Sequence, residues 1–360
     1  MLFVKTEDLK KGMRLAKPIY NKKGVLLYGR DTRLTEQGIA SIKNFELIGI
    51  YVLEPAEPLP PMSDEDIEFE RFQTMAVFSI REDLQAIINH KEAKNIYRMA
   101  DLILSTYGRN KGKINFTQNL RSPSDYVYKH AINVAILSAL IGKTMKESAG
   151  DMRDLVVAAL LHDIGLFMVN EKVACSDERD EVETVNVKRA IMEGYSLLEF
   201  TDITTNSKRM ISNMQRYIYD LGSNVYEGRE KNINNGSKIL ILADLYDRMT
   251  AMKIDAKPIS EFRAIIRLAA DERVDKKVLN ALIQSINILT PGVCVELTNG
   301  EKGLVLSENE SNVIKPVVLG FNTNKVYDLE NTNDSIQKKD IMKTMDNRTV
   351  KDKELLAEYM

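Results

Sequence analysis

The stretch Val156-Val157-Ala158-Ala159-Leu160-Leu161-His162-Asp163-Ile164-Gly165 decides the fold of this chain. Six apolar residues lead directly into an adjacent His-Asp pair, and a glycine follows. The apolar run predicts a buried helix that ends at the pair, and Gly165 lets the backbone turn away behind it. Because a neutral imidazole and a neighbouring carboxylate can both face one cation, His162 and Asp163 are candidate metal ligands. The alternative is a core histidine bonded to a neighbouring carboxylate.

Two further candidates lie in helices that look buried. His130 lies on the apolar face of a helix predicted over residues 126–145, and Asp244 lies within an apolar helix predicted over 238–252. A mononuclear metal site needs three or four nitrogen or oxygen ligands from different elements, and these residues can supply them. The remaining histidine, His90, lies in a charged segment predicted to be helical, and we interpret it as a surface residue.

Asp244 requires compensation, because a buried carboxylate without a partner is strongly destabilising. A bound cation would compensate it, and so would Arg248, which follows one helical turn later. Residue spacing therefore leaves two interpretations open. One is a metal site, and the other is an Asp244–Arg248 pair accompanied by two core histidines.

Composition excludes several classes of protein. The 360 residues are 44% hydrophobic and 28% charged, as expected for a globular protein. The net charge of -2 does not indicate a basic surface for binding DNA or an anionic membrane. Cys175 and Cys294 lie far apart, which argues against a disulfide framework and a thiolate zinc site. No apolar run approaches the roughly 20 residues of a membrane helix. The N-terminus becomes charged too early for a signal peptide, so we expect a cytoplasmic protein.

Hydrophobic periodicity predicts a mainly α chain with small β-containing parts at both ends. Alternating apolar residues predict hairpins near residues 14–29 and 293–307, the second with a clear Asn-Gly turn. The predicted domains are a mixed α/β domain (1–53), a Pro-rich acidic linker (54–65), a helical domain (66–288), a small β extension (289–345) and a tail (346–360). Within the helical domain, residues 176–183 and 222–236 are predicted to be surface loops.

The order His…His-Asp…Asp resembles the HD superfamily of metal-dependent phosphohydrolases. The surroundings resemble its HD-GYP branch, whose members hydrolyse cyclic di-GMP. The matching stretches cover nearly the whole chain: EDLKKGMRLAKPIYNKKGVLL (7–27), HAINVAILSALIG (130–142), AALLHDIG (158–165), EGYSLL (193–198), KILILADLYDRMTA (238–251), INILTPGVCVELTNGEKGLVL (286–306) and KPVVL (315–319).

The resemblance implies a helical HD-type fold and a metal site formed by His130, His162, Asp163 and Asp244, which we call the quartet. In the family two bridged metal ions activate a shared water that attacks phosphorus. The shared carboxylate corresponds to Asp163, which is therefore the predicted catalytic residue.

Several positions depart from the family pattern. Ala190-Ile191 stands where a His-Pro pair is usual, Gln215-Arg216 where a His-His pair is usual, and Leu166 where a lysine is usual. The segment Ser223-Asn224-Val225 shares nothing with the Gly-Tyr-Pro triplet that names the family. With the ligands of the second metal missing, we predict one divalent ion (Fe, Mn, Zn or Ni) or none. Cyclic di-GMP hydrolysis is then expected to be very weak or absent.

Three functional hypotheses remain open. The first is a degenerate HD-GYP-like signalling module that binds cyclic di-GMP, another nucleotide or a protein partner, with Lys188, Arg189 and Arg216 as candidate phosphate-binding residues. These three residues are otherwise interpreted as solvent-facing helix charges. The second is a one-metal phosphohydrolase that acts on another nucleotide or phosphate ester, and the third is a metal-free interaction scaffold.

Overall fold

A computed structural model describes residues 2–21, 25–53, 63–93, 95–109, 112–221, 233–272, 274–309, 312–331 and 338–341. The prediction of a mainly α chain with small β-containing parts at both ends is confirmed. The predicted tail (346–360) and most of the predicted linker and of the loop 222–236 lie outside the described residues. The domain boundaries therefore stay predictions.

The N-terminal part combines a three-stranded sheet, a short hairpin and one helix. Its elements are β1 (Leu2–Lys5), β2 (Arg14–Leu15), β3 (Ile19–Tyr20), β4 (Leu26–Tyr28), α1 (Glu36–Asn44) and β5 (Gly49–Leu53). β5 pairs antiparallel with β1 and β2 on its two edges, and β3 pairs with β4, which confirms the predicted hairpin. Thr35 caps α1, since its Oγ1 accepts a hydrogen bond from the Gly38 backbone amide at 3.0 Å.

This N-terminal part packs directly on a segment of the helical part, residues 118–121. Leu120 lies in the same apolar cluster as the N-terminal sheet residues. The Ile48 backbone amide donates to the Arg121 carbonyl at 2.9 Å, and the buried Lys17 ammonium donates to the Gln118 carbonyl at 2.7 Å. These contacts hold the segment in place beneath the sheet, next to the candidate site described below.

The helical part is built around one almost completely buried helix. Its helices are α2 (Asp64–Ile88), α3 (Ile96–Thr106), α4 (Tyr126–Thr144), α5 (Ala149–Leu161), α6 (Glu171–Ala174), α7 (Glu181–Leu197), α8 (Thr205–Tyr219), α9 (Asn235–Thr250), α10 (Glu261–Ala270) and α11 (Lys276–Ser285). α4 is the central helix and packs against α2, α5, α9 and α11. Its burial on nearly every face agrees with its apolar sequence.

Two local predictions need correction. Residues 181–183 belong to α7 rather than to a loop, because Asp180 and Glu183 form a capping box at its start. Residues 235–236 belong to α9, which is capped by Asn234.

Two glycines allow the turn behind the His-Asp pair to touch α7. Residues 164–168 form a 3₁₀ turn, and Gly165 lies against the backbone of Ala190 and Ile191. A β-carbon on Gly165 would lie 2.6 Å from Ile191 Cα, and one on Gly194 would lie 2.5 Å from Gly165 Cα. Glycine is therefore required at both positions by close backbone approach.

The C-terminal part is a five-stranded antiparallel sheet. Its strands are β6 (Cys294–Leu297), β7 (Lys302–Ser307), β8 (Val317–Gly320), β9 (Val326–Asp328) and β10 (Lys338–Ile341), in the order β10-β6-β7-β8-β9. The predicted Asn299-Gly300 hairpin joins β6 to β7, and Gly300 adopts φ +81° in its turn. Cys175 and Cys294 are both buried and form no disulfide with each other.

Candidate metal centre

The four quartet residues come from three helices and meet in the interior. His130 projects from the second turn of α4, His162 and Asp163 directly follow α5, and Asp244 projects from α9. All four side chains are buried. One nitrogen or carboxylate oxygen from each residue can be chosen so that the four atoms lie within 4.8 Å of one another.

Hydrogen bonds on the far side of each imidazole determine which ring nitrogen faces the quartet. His130 Nδ1 lies 2.6 Å from Asp247 Oδ2, and His162 Nδ1 lies 2.7 Å from the Ala159 carbonyl oxygen. Both partners are acceptors, so each Nδ1 carries the proton when the ring is neutral. Each Nε2 then directs a lone pair into the quartet, where the other groups are carboxylate oxygens.

The separations between these atoms fit a single metal ion. His130 Nε2 lies 3.2 Å from His162 Nε2 and 2.9 Å from Asp244 Oδ1, and His162 Nε2 lies 3.2 Å from the same oxygen. Asp163 Oδ2 lies 3.5 Å from both ring nitrogens. Ligand atoms about 2.0–2.1 Å from one tetrahedral ion are about 3.4 Å apart. Four acceptors at such distances repel one another unless a metal ion lies between them or an imidazole is protonated. Two imidazole nitrogens and two carboxylates are a donor set that fits a divalent metal.

Arg248 also contacts the two quartet carboxylates. Its Nε donates to Asp244 Oδ2 at 2.8 Å, and its Nη2 donates to Asp163 Oδ2 at 2.5 Å. Tyr219 contributes to the same network, because its hydroxyl donates to Asp163 Oδ1 at 2.8 Å and accepts from Arg248 at 2.9 Å. The predicted Asp244–Arg248 pair is thus present together with the converging quartet, so the two interpretations of the sequence are compatible.

A second buried hydrogen-bond network holds the Nδ1 side of the His130 ring. Asp247 Oδ1 and Oδ2 each lie 2.8 Å from Arg121 Nη2, and Asp247 also accepts hydrogen bonds from Gln118 and Asn133. Burial alone would raise the pKa of Asp247, but the Arg121 guanidinium and His130 hold the pKa well below its ordinary value. Asp247 is therefore an ionised acceptor that orients the His130 ring.

Burial and neighbouring charges shift the pKa values of side chains in and next to the quartet. Burial raises the pKa of Asp244, but Arg248 and the two imidazoles outweigh it and hold that pKa well below its ordinary value. Burial lowers the pKa of His162, but the Asp163 and Asp244 carboxylates outweigh it and raise the pKa above 6.5. Burial raises the pKa of Tyr219 well above 10, so its hydroxyl stays protonated and donates.

Sequence reasoning missed three residues that orient the quartet. Asp247 had a visible signal, as an acidic residue one turn after Asp244 on the same apolar helix. Tyr219 had none, since it lies at the end of α8 and reaches Asp163 only through tertiary packing. Gln215, recognised only as a departure from the family pattern, donates its side-chain amide to the His162 carbonyl at 2.6 Å.

The predicted phosphate-binding residues lie at the surface. Arg189 and Arg216 are exposed, and Lys188 Nζ lies 4.0 Å from Asp220 Oδ2. Within the described residues, no hydrogen bond or ion pair joins these three side chains to the quartet, so their phosphate-binding role stays a prediction. His90 is exposed, as predicted, but follows α2 instead of lying within a helix.

Helix length and polarity also bear on the membrane prediction. In the part of the chain that the structure describes, no helix is both long and apolar enough to cross a membrane.

Comparison with known proteins identifies the helical part. The HD domain family matches residues 127–249, from the start of α4 to the last turn of α9. The cyclic di-GMP phosphodiesterase PdeB of Borreliella burgdorferi is 26% identical over 201 residues, which are 54% of this chain and 52% of PdeB. The cyclic di-GMP phosphodiesterase PA4108 of Pseudomonas aeruginosa is 22% identical over 227 residues, which are 62% of this chain and 54% of that protein.

The chain thus spans about half the length of these curated relatives. Among solved structures, Bd1817, an HDG"Y"P protein from Bdellovibrio bacteriovorus, aligns with a TM-score of 0.45 and 14% identity over 78% of this chain and 97% of its own. The family match spans the helices that bring the quartet together. Residues 127–249 therefore form an HD domain, and the chain is similar in sequence to two cyclic di-GMP phosphodiesterases.

Proposed function

We propose that this protein binds one divalent metal ion at the quartet and acts mainly as a binding module in cyclic-di-nucleotide signalling. Its cyclic di-GMP phosphodiesterase activity is weak or absent. The observation that carries the proposal is the convergence of four buried acceptor atoms from His130, His162, Asp163 and Asp244. The similarity to two cyclic di-GMP phosphodiesterases, each matched over about half its length, supports the choice of ligand.

The residues around the quartet have distinct roles in this proposal. A bound divalent ion would supply a Lewis acid and lower the pKa of water at the site. Asp247 and the Ala159 carbonyl hold the proton of each neutral ring on Nδ1, so that the Nε2 lone pairs face the ion. Tyr219 and Arg248 hold the Asp163 carboxylate, and Gln215 anchors the backbone that carries it. Such supporting hydrogen bonds typically affect metal affinity about 10–100-fold.

We expect weak hydrolysis because of the side chains at the positions that depart from the family pattern. Ala190 is buried and apolar, the Gln215 amide bonds to a backbone carbonyl, and Leu166 is buried in an apolar cluster. Ala190 and Leu166 have no ligand atom, and the Gln215 amide is already bonded to the His162 carbonyl, so these side chains do not replace the imidazoles of a second metal or the usual lysine. The loss of one such electrostatic element typically reduces the rate about 10²–10³-fold.

Metal content and ligand assays test the proposal. Protein purified without chelators is expected to contain one equivalent of Fe, Mn, Zn or Ni, and His162→Ala is expected to lose it. His90→Ala is the matched control, because His90 is exposed and outside the quartet. Cyclic di-GMP is expected to bind in calorimetry and to be hydrolysed slowly or not at all.

Each contrary result has a specific meaning. A metal-free wild-type protein would refute the metal site and favour an interaction scaffold. Rapid hydrolysis of cyclic di-GMP would contradict the weak activity. Hydrolysis of another nucleotide or phosphodiester that disappears in His162→Ala would replace the binding module by a one-metal phosphohydrolase.

A further inference from the structure

Arg248 contacts both quartet carboxylates. Its guanidinium joins Asp163 to Asp244 through bonds of 2.5 Å and 2.8 Å. The Arg248 side chain is 13% exposed, whereas those of Asp163 and Asp244 are 1% and 0% exposed. Arg248 therefore lies between the buried carboxylates and the exterior, in the position of a cation bound to them.

The two carboxylates differ in which of their oxygens contact Arg248 and which face the imidazoles. Asp244 uses a different oxygen for each partner: Oδ1 faces both Nε2 atoms, and Oδ2 accepts from Arg248. Asp163 uses one oxygen for both, because its Oδ2 faces both Nε2 atoms and also accepts from Arg248 Nη2. The other Asp163 oxygen is bonded to the Tyr219 hydroxyl. A metal ion at the quartet and Arg248 therefore bind the same oxygen, and two cations at one oxygen repel each other.

The positive charge of Arg248 also disfavours metal binding at the quartet. Two carboxylates and the guanidinium of Arg248 leave the centre with a net charge of about -1, and one divalent ion changes it to about +1. A second divalent ion would place about +3 in a buried site. The resident guanidinium thus opposes the first ion and excludes a second.

We propose that the Arg248 guanidinium acts as a resident cation of this centre. It competes with the divalent ion for Asp163 Oδ2 and restricts the quartet to one ion, which is held less tightly than it would be without Arg248. This inference rests on the metal binding proposed above. Arg248 has a second, structural effect, since it neutralises part of the buried negative charge when no metal is bound. The protein can therefore remain folded without metal.

Metal titrations of wild type, Arg248→Met and Arg248→Lys test this inference, with Mn²⁺ and Zn²⁺ as separate probes. Methionine has a similar length and no charge, so Arg248→Met is expected to bind metal about tenfold more tightly or better. Arg248→Lys retains the charge but cannot bridge both carboxylates, and its affinity is expected to be intermediate. Arg153→Met is the matched control, because Arg153 makes a comparable two-bond pair with Asp101 at the surface.

Thermal unfolding gives an independent readout. Without metal, Arg248→Met is expected to unfold at a lower temperature than wild type, because two buried carboxylates lose their counter-charge. Saturating metal is expected to raise its Tm by more than it raises the wild-type Tm. If Arg248→Met binds no more tightly than wild type while binding still depends on His162, this inference alone is wrong. If neither protein binds Mn²⁺ or Zn²⁺, the metal site proposed above is wrong as well.

Discussion

His130 Nδ1 lies 2.6 Å from Asp247 Oδ2, and this bond determines how His130 faces the quartet. We expect Asp247→Asn to weaken metal binding about 10–100-fold, since the amide no longer provides a charged acceptor for the ring N–H. Metal affinity should be measured by chelator competition. Asp101→Asn, at an exposed ion pair, is the control and should leave the affinity unchanged.

Because Asp247 also pairs with the buried Arg121, Asp247→Asn will lower stability too. The double variant Arg121→Met/Asp247→Asn removes both charges together. If this double variant folds and binds metal as tightly as wild type, Asp247 does not orient His130 for metal binding.

The Tyr219 hydroxyl bridges Asp163 and Arg248 in the interior. Tyr219→Phe is expected to lower the free energy of unfolding by about 1.5–3 kcal/mol, because a buried carboxylate loses a hydrogen-bond donor. Denaturant titration measures this change. Tyr97→Phe is the control, since its hydroxyl donates to the exposed Asp202 carbonyl at 3.2 Å. Equal losses in the two variants would show that the Tyr219 hydroxyl has no special role at the site.

Gly165 is expected to tolerate no side chain, because a β-carbon there would contact the Ala190 and Ile191 backbone. We expect Gly165→Ala to destabilise the protein by about 1–3 kcal/mol and to lower metal occupancy, since the neighbouring His162-Asp163 pair must shift. Gly150→Ala in α5 is the matched control, where a β-carbon meets nothing within 4 Å. That control should be neutral or stabilising by about 0.5–1 kcal/mol. Similar melting temperatures for the two variants would contradict the close approach.

Asp275 at the start of α11 provides a pH test away from the metal centre. It accepts from Lys238 Nζ at 2.7 Å and from the Lys277 backbone amide at 2.9 Å. Burial raises its pKa, but these bonds outweigh burial and lower the pKa below 3.8 in the folded protein. The ionised carboxylate therefore stabilises the fold above that ordinary value, and the contribution is lost as the pH falls through the folded-state pKa.

We therefore expect Asp275→Asn to lower stability by about 0.5–1 kcal/mol at pH 7 and by progressively less below pH 4, as followed by thermal unfolding. Lys238→Met removes the ion pair but leaves the carboxylate at the helix start, so it separates the two contributions. A difference between wild type and Asp275→Asn that stays constant from pH 7 to pH 3 would contradict the expected pH dependence.

Much of this protein could be predicted from local patterns. Apolar periodicity predicts α4, α5 and α9, and the Asn299-Gly300 turn predicts the β6–β7 hairpin, because these elements depend on neighbouring residues. The boundary of α7 was misjudged because its acidic first turn has the composition of a solvated loop. The capping box at Asp180 is the signal that distinguishes the two.

The sequence by itself determined the HD-type order of histidines and aspartates and the helices that carry them. Only the tertiary structure decided that the quartet converges, that Asp247 and Tyr219 support it, and that Arg248 joins Asp163 to Asp244. The physical reason is that helix formation follows local residue spacing, whereas these contacts depend on how α4, α5, α8 and α9 pack. Residue spacing alone allowed Arg248 to pair with Asp244, but the packing of α5 against α9 brings Asp163 within reach of the same guanidinium.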